Sequence, residues 1–161
     1  MQRAEKSIRI AAPASEVYGF WRNFENLPKF MEHVEDVRRA SSGQDLWHWK
    51  LKGPANSTFE FDARLTEDQP GRSIGWNSTS GMLGTSGVVT FTDLQSNTEV
   101  HVVMQWFGLP AGGLGEALSR LVQNPDQMLE EDLRRLKQAM ESRVREHVGG
   151  EPLAAKSILE D

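Results

Sequence analysis

Phe59-Glu60-Phe61-Asp62-Ala63-Arg64-Leu65 alternates without a break between apolar and charged side chains. A period of two marks a strand with one buried face and one wet face. The same period runs outward in both directions. Upstream, Trp47, Trp49 and Leu51 share a face. Downstream come Ile74 and Trp76, then Val89 and Phe91, then Val100, Val102, Met104 and Trp106. The opposite positions carry Glu60, Asp62, Arg64, Asn77, Thr90, Thr92, His101 and Gln105. The pattern predicts strands over 34–41, 45–52, 57–67, 72–79, 86–94 and 98–107. Turn signals separate them at Ser42-Gly43, Gly53-Pro54, Gln69-Pro70-Gly71, Gly81 to Gly84, and Ser96-Asn97. No crossover helix lies between these strands, so they pair as an antiparallel meander.

The flanks change period. Ile8 and Ile10 alternate in a first strand near 3–11, which Pro13 ends. Pro13 and Glu16 suit a helix start, and Val17, Phe20 and Trp21 follow at helical spacing, predicting a short helix over 14–22. Asn23 opens a second short helical segment with Phe24, Leu27, Phe30 and Met31, bent at Leu27-Pro28. In the last third, Leu114, Leu118 and Leu121 start a helical stripe. Asn124-Pro125-Asp126 predicts a restart or kink. Leu129, Leu133, Leu136, Met140 and Val144 continue the stripe, with outer pairs Glu130/Arg134, Glu131/Arg135 and Glu141/Arg145 at i,i+4. Gly149-Gly150 is a stop signal.

The fold class is therefore α+β: a curved seven-stranded antiparallel sheet wrapped around one long C-terminal helix, two short helices between strands 1 and 2 closing one end. The domain is expected over 1–147, with a flexible tail over 148–161.

Composition narrows the function. The chain has 161 residues, 18 Lys and Arg, 23 Asp and Glu, and a net charge of −5. That sign argues against sequence-independent nucleic-acid binding. With no cysteine there is no disulfide, thiolate site or Cys nucleophile. No apolar run approaches the ~20 residues of a membrane span, and the N-terminus lacks a signal-peptide core, so a cytoplasmic location is expected.

His33, His48, His101 and His147 form no metal-binding spacing, and neither a metal nor any other cofactor is expected. Ser86, in Gly84-Thr85-Ser86-Gly87, lacks a nucleophile-elbow pattern. Gly112-Gly113-Leu114-Gly115 lacks the following strand of a dinucleotide site and reads as a hinge or lid, or as a close approach of helix and sheet. No catalytic residue is assigned.

Five Trp against one Tyr is the compositional anomaly. Four of the five fall on the oily sheet face and Trp21 on the first helix. Trp and Met suit adaptable surfaces, so the face reads either as core or as the lining of a cavity. As a lining, Trp49, Phe61, Trp76, Phe91, Met104 and Trp106 form the wall, and Leu118, Val122 and Leu129 form the helix side. Arg22, Glu60 and Arg64 are candidate polar anchors. Glu60 and Arg64 qualify only if the strand bulges, because alternation turns them outward.

The segment Phe20-Trp21-Arg22-Asn23-Phe24-Glu25-Asn26-Leu27-Pro28-Lys29-Phe30-Met31 resembles the polyketide cyclase/dehydrase family of the START-like, Bet v 1-like superfamily. Phe59 to Ala63 with Leu65 to Asp68, Ile74 to Ser78, and Glu131 to Lys137 agree with it. The resemblance covers about residues 3–145. It implies a helix-grip fold with a cavity between sheet and helix. It also implies a range of roles, among them aromatase/cyclases, lipid and sterol carriers, quinone-binding proteins and ribosome-associated proteins. The leading expectation is a hydrophobic or aromatic small-molecule binder without catalysis. The alternatives are a cyclase/dehydratase-type enzyme and a protein-interaction module.

Overall fold

The computed structural model describes residues 2–40, 45–53, 56–81, 84–107 and 124–149. The strands are β1 (Gln2–Ile10), β2 (Val34–Arg39), β3 (Leu46–Lys52), β4 (Thr58–Gln69), β5 (Ser73–Gly81), β6 (Gly84–Asp93) and β7 (Thr98–Phe107). They form one antiparallel sheet in the order β1-β7-β6-β5-β4-β3-β2. Six strands run as the expected meander, and β1 adds beside β7. The chain crosses from one edge to the other through α1 (Ala14–Arg22) and a 3-10 helix (Phe24–Lys29). Pro28 lies inside that second helix, where the tighter 3-10 winding replaces an α-helical turn.

The long helix α2 spans Pro125–Gly149, with Pro at its first position and Asp126 in its first turn. The expected features at 112–115, Leu114, Leu118, Leu121 and Val122 lie outside the described residues, as does 150–161. Among the described residues, no helix is long and apolar enough to cross a membrane.

Leu129, Leu133, Leu136 and Met140, spaced 4, 3 and 4 apart, form one buried face of α2. They meet Phe59, Ala63, Ile74, Val89, Val100 and Val102 on the inner sheet face, within one hydrophobic cluster. Polar ties fix the helix to β1 and the segment after it. Lys137 Nζ donates to the Arg9 carbonyl at 3.0 Å, and Ala11 N–H to Glu141 Oε2 at 2.9 Å. Of the expected i,i+4 pairs, Glu130 and Arg134 meet at 2.8 Å. Arg135 does not reach Glu131. It turns inward to Asp132 and donates to the Phe30 carbonyl at 2.9 Å.

Strict alternation fails in β4. The β4–β5 register shifts between Asp62 and Ala63 and again between Leu65 and Glu67. The second bulge brings Asp68 opposite Ile74, on the inner side. There its carboxylate accepts from Tyr18 Oη and, at 3.0 Å, from Arg22 Nε. Burial, and then the Asp68 bond, push the Tyr18 hydroxyl up to about 12, so it stays a donor.

On the outer face, His48 sits between two acids. Its Nδ1 is 2.7 Å from Asp62 Oδ1 and its Nε2 2.6 Å from Glu60 Oε1. The Glu60 bond, then the Asp62 bond, hold the imidazole above its ordinary 6.5. The same His48 bond holds Glu60 below 4.5. A raised His pKa stabilises fully below 6.5 and is lost as pH rises through the folded value. A lowered Glu pKa stabilises above 4.5 and is lost as pH falls through its folded value. The triad therefore contributes most between about pH 4.5 and 6.5. In His48→Gln, the loss of Tm should be largest near pH 6 and smaller at pH 9, as measured by thermal melts at both. In the core, Leu136→Ala should cost about 2–5 kcal/mol in urea unfolding, because the side chain is fully buried.

Candidate ligand-binding site

Buried inner-face residues are Phe, Ile, Leu, Val and Ala, whereas Trp47, Trp49, Trp76, Met104 and Trp106 are only partly buried and pack beside them. The large flexible and aromatic side chains surround space that the branched aliphatics do not fill. That space is a cavity of about 70 Å3, counted as the room open to the centre of a water-sized sphere. All five tryptophans line it, together with Met31, Met104 and Met128.

Four of the five indoles have a close ring or backbone neighbour. Trp49 stacks on Phe61 at 5.6 Å and 16°. Trp47 meets Phe24 edge-on at 4.9 Å. Trp21 packs against Phe30 at 5.2 Å. Trp76 lies over Gly87, where an added Cβ would come within 2.5 Å of its ring. Gly87 thus leaves room for the indole to lie close to the sheet.

The expected wall divides as follows. Trp49, Phe61, Trp76, Met104, Trp106 and Leu129 all line the cavity. Phe91 does not. It is buried beneath α1, with ring contacts to Tyr18 at 5.8 Å and Trp21 at 6.2 Å. Leu118 and Val122 lie outside the described residues.

The anchors divide too. Arg22 is not at the lining. It pairs with Asp68, and its guanidinium lies 5.2 Å from the Phe24 ring centre and 5.9 Å from Trp47, behind the wall. Glu60 is on the outer face with His48, because the bulges fall after it. Arg64 is exposed yet touches the lining, which puts it at the cavity's rim.

Three polar residues of the lining were not anticipated: His33, Thr85 and Asp132. Asp132 sits in the charged run Glu130-Glu131-Asp132, which reads as a solvated face. Its spacing, three after Leu129 and four before Leu136, is the signal that places it on the buried flank. Asp132 Oδ1 accepts from Glu32 N–H at 3.4 Å and from Arg135. Burial nevertheless dominates and pushes its carboxyl up to about 6 from 3.8. Among the described residues, no group of three or more His, Asp or Glu is arranged to hold a metal.

The family model described as "Polyketide cyclase / dehydrase and lipid transport" matches residues 10–141. The chain belongs to this family. An uncharacterised 17.2 kDa protein of Streptomyces lincolnensis is 32% identical over 107 residues, 66% of this chain and 69% of that one. A solved structure from Deinococcus radiodurans is similar at 27% identity with a TM-score of 0.71, covering 89% of this chain and 99% of that one. The Zhui aromatase/cyclase of Streptomyces sp. R1128 matches at 19% identity and TM-score 0.69, over 89% and 96% of the two chains. A START superfamily protein of Mycobacterium smegmatis matches at 15% and 0.67, over 88% and 98%. The last two likenesses concern the fold. Hydrophobic-ligand binding and polyketide cyclase or aromatase chemistry are both in keeping with this family and fold.

Asp132 sets a pH test. A folded pKa raised above the unfolded one favours the folded state at low pH, and this is lost as pH rises through about 6. Holding Asp132 ionised at pH 7 therefore costs roughly 3 kcal/mol. Asp132→Asn should match the wild type near pH 4 and be more stable by about 1–3 kcal/mol at pH 7.5, read by urea unfolding at each pH.

Proposed function

We propose that this protein binds a hydrophobic or aromatic small molecule between the sheet and α2, and holds it without chemical change. The carrying observation is the convergence of five indoles and three methionines on one largely apolar space, in a chain whose outer sheet face is polar. Met31, Met104 and Met128 have the rotamer freedom to open the cavity around a larger guest. Burying about 300 Å2 of apolar ligand surface yields roughly 7 kcal/mol before the cost of association. Arg64, at the rim, offers a cation to an acidic group on the guest.

Asp132 favours a second reading, an enzyme of the cyclase/dehydratase type. A carboxyl that exchanges its proton near pH 6 can act as acid or base on a bound substrate.

Native mass spectrometry of freshly purified protein should show a bound small molecule. Tryptophan emission should change saturably with at least one of a fatty acid, a quinone or a polycyclic aromatic. No saturable change with any of the three overturns the binding reading. A bound compound recovered one water lighter from wild type, but unchanged from Asp132→Asn, supports the enzyme reading instead.

A further inference from the structure

Two buried side-chain polar atoms lack a hydrogen-bond partner among the described residues: Trp47 Nε1 and Thr85 Oγ1. Both residues line the cavity. Buried polar groups are satisfied almost everywhere in folded proteins, so an orphan at a cavity wall marks a place where something else supplies the partner. The rest of each residue is accounted for. Thr85 N–H donates to Ser78 Oγ at 2.9 Å, and Thr85 is 1% exposed. The Trp47 ring is held edge-on by Phe24, with the Arg22 and Arg39 guanidiniums 5.9 and 5.3 Å from its centre. Neither group can turn to water without disturbing that packing.

Register puts them in one row. Trp47 pairs with Ala63, Ala63 with Ser78, and Thr85 with Trp106, while the Thr85–Ser78 bond closes the gap between β5 and β6. The row thus runs Trp47, Ala63, Ser78, Thr85, Trp106 across five strands. Small residues occupy the stretch between the two orphans, so the floor there is low. Backbones three strands apart lie about 14 Å from one another along a sheet, less across its concave side.

We propose that Trp47 Nε1 and Thr85 Oγ1 are the polar anchors of the cavity, selecting a flat hydrophobic ligand with a hydrogen-bond acceptor at the Trp47 end and a second polar oxygen at the Thr85 end. An indole N–H only donates, which fixes the first group as an acceptor such as a carbonyl oxygen. The threonine hydroxyl donates or accepts. This inference rests on the binding reading of the same cavity and adds orientation and ligand class to it.

The test uses two probes with one carbon skeleton: 2-methyl-1,4-naphthoquinone, with two ring carbonyls on opposite sides, and 2-methylnaphthalene, with none. The chain has no cysteine for the quinone to alkylate. Each is titrated into full-length protein while the five indole N–H signals are followed by 1H–15N NMR, with Trp47→Phe identifying the Trp47 signal. The quinone should bind at least tenfold more tightly and move the Trp47 signal downfield. Trp47→Phe and the near-isosteric Thr85→Val should each weaken the quinone about five- to tenfold and leave the hydrocarbon within twofold. If Trp47→Phe does not fold, the Thr85→Val comparison decides alone. Equal binding of both probes, insensitive to either substitution, overturns the anchors and leaves the hydrophobic-binding reading standing. Binding of neither probe overturns the anchors, and the binding reading then falls only if the fatty acid also fails to change the tryptophan emission.

Discussion

The structure depends on a mismatch of widths. Seven strands at about 4.8 Å spacing make a sheet close to 29 Å across, whereas one helix with its side chains is about 10–12 Å wide. The inner face is apolar along its length and must be covered. Curling brings the edges toward α2, and the Leu129, Leu133, Leu136 and Met140 stripe seals the middle. The short helices between β1 and β2 plug one end with Trp21, Phe24 and Leu27. What remains between sheet and helix is bounded by side chains too large and too planar to collapse into it.

The same geometry sorts the charged groups. On the outer face, solvent keeps charge inexpensive, and His48 is stabilised in its charged form by two carboxylates. On the inner side, burial works against charge, and Asp132 is pushed toward its neutral form despite Arg135 beside it. One acid next to a cation is thus raised to about 6, while exposed Glu60 next to an imidazole is held below 4.5. Depth, more than the partner's identity, decides the sign.

Much of this was legible because period-two alternation and helical stripes are local properties of the chain. The seven strands, both short helices, a helix start at Asn124-Pro125 and the shared face of the tryptophans all follow from spacing. Alternation ceases to report facing where a bulge intervenes. Asp68 reached the inner side that way, taking Arg22 with it. Phe91 lies on the correct face but farther along β6 than the cavity-lining Thr85, under α1 instead of beside the cavity. Asp132 was hidden by its charged neighbours, because composition describes a run while burial depends on a single angular position on the helix.

The sequence by itself determined the sheet, its apolar face, the covering helix and the concentration of indoles between them, since each is written in side-chain period. Only the tertiary structure decided that the space between them stays partly open, and that Trp47 and Thr85 share one row across it. It alone placed Arg22 behind the wall and Asp132 within it. Those outcomes come from cross-strand register and from how far the sheet curls around the helix. Both are set by contacts between residues far apart in the chain, which no local pattern records.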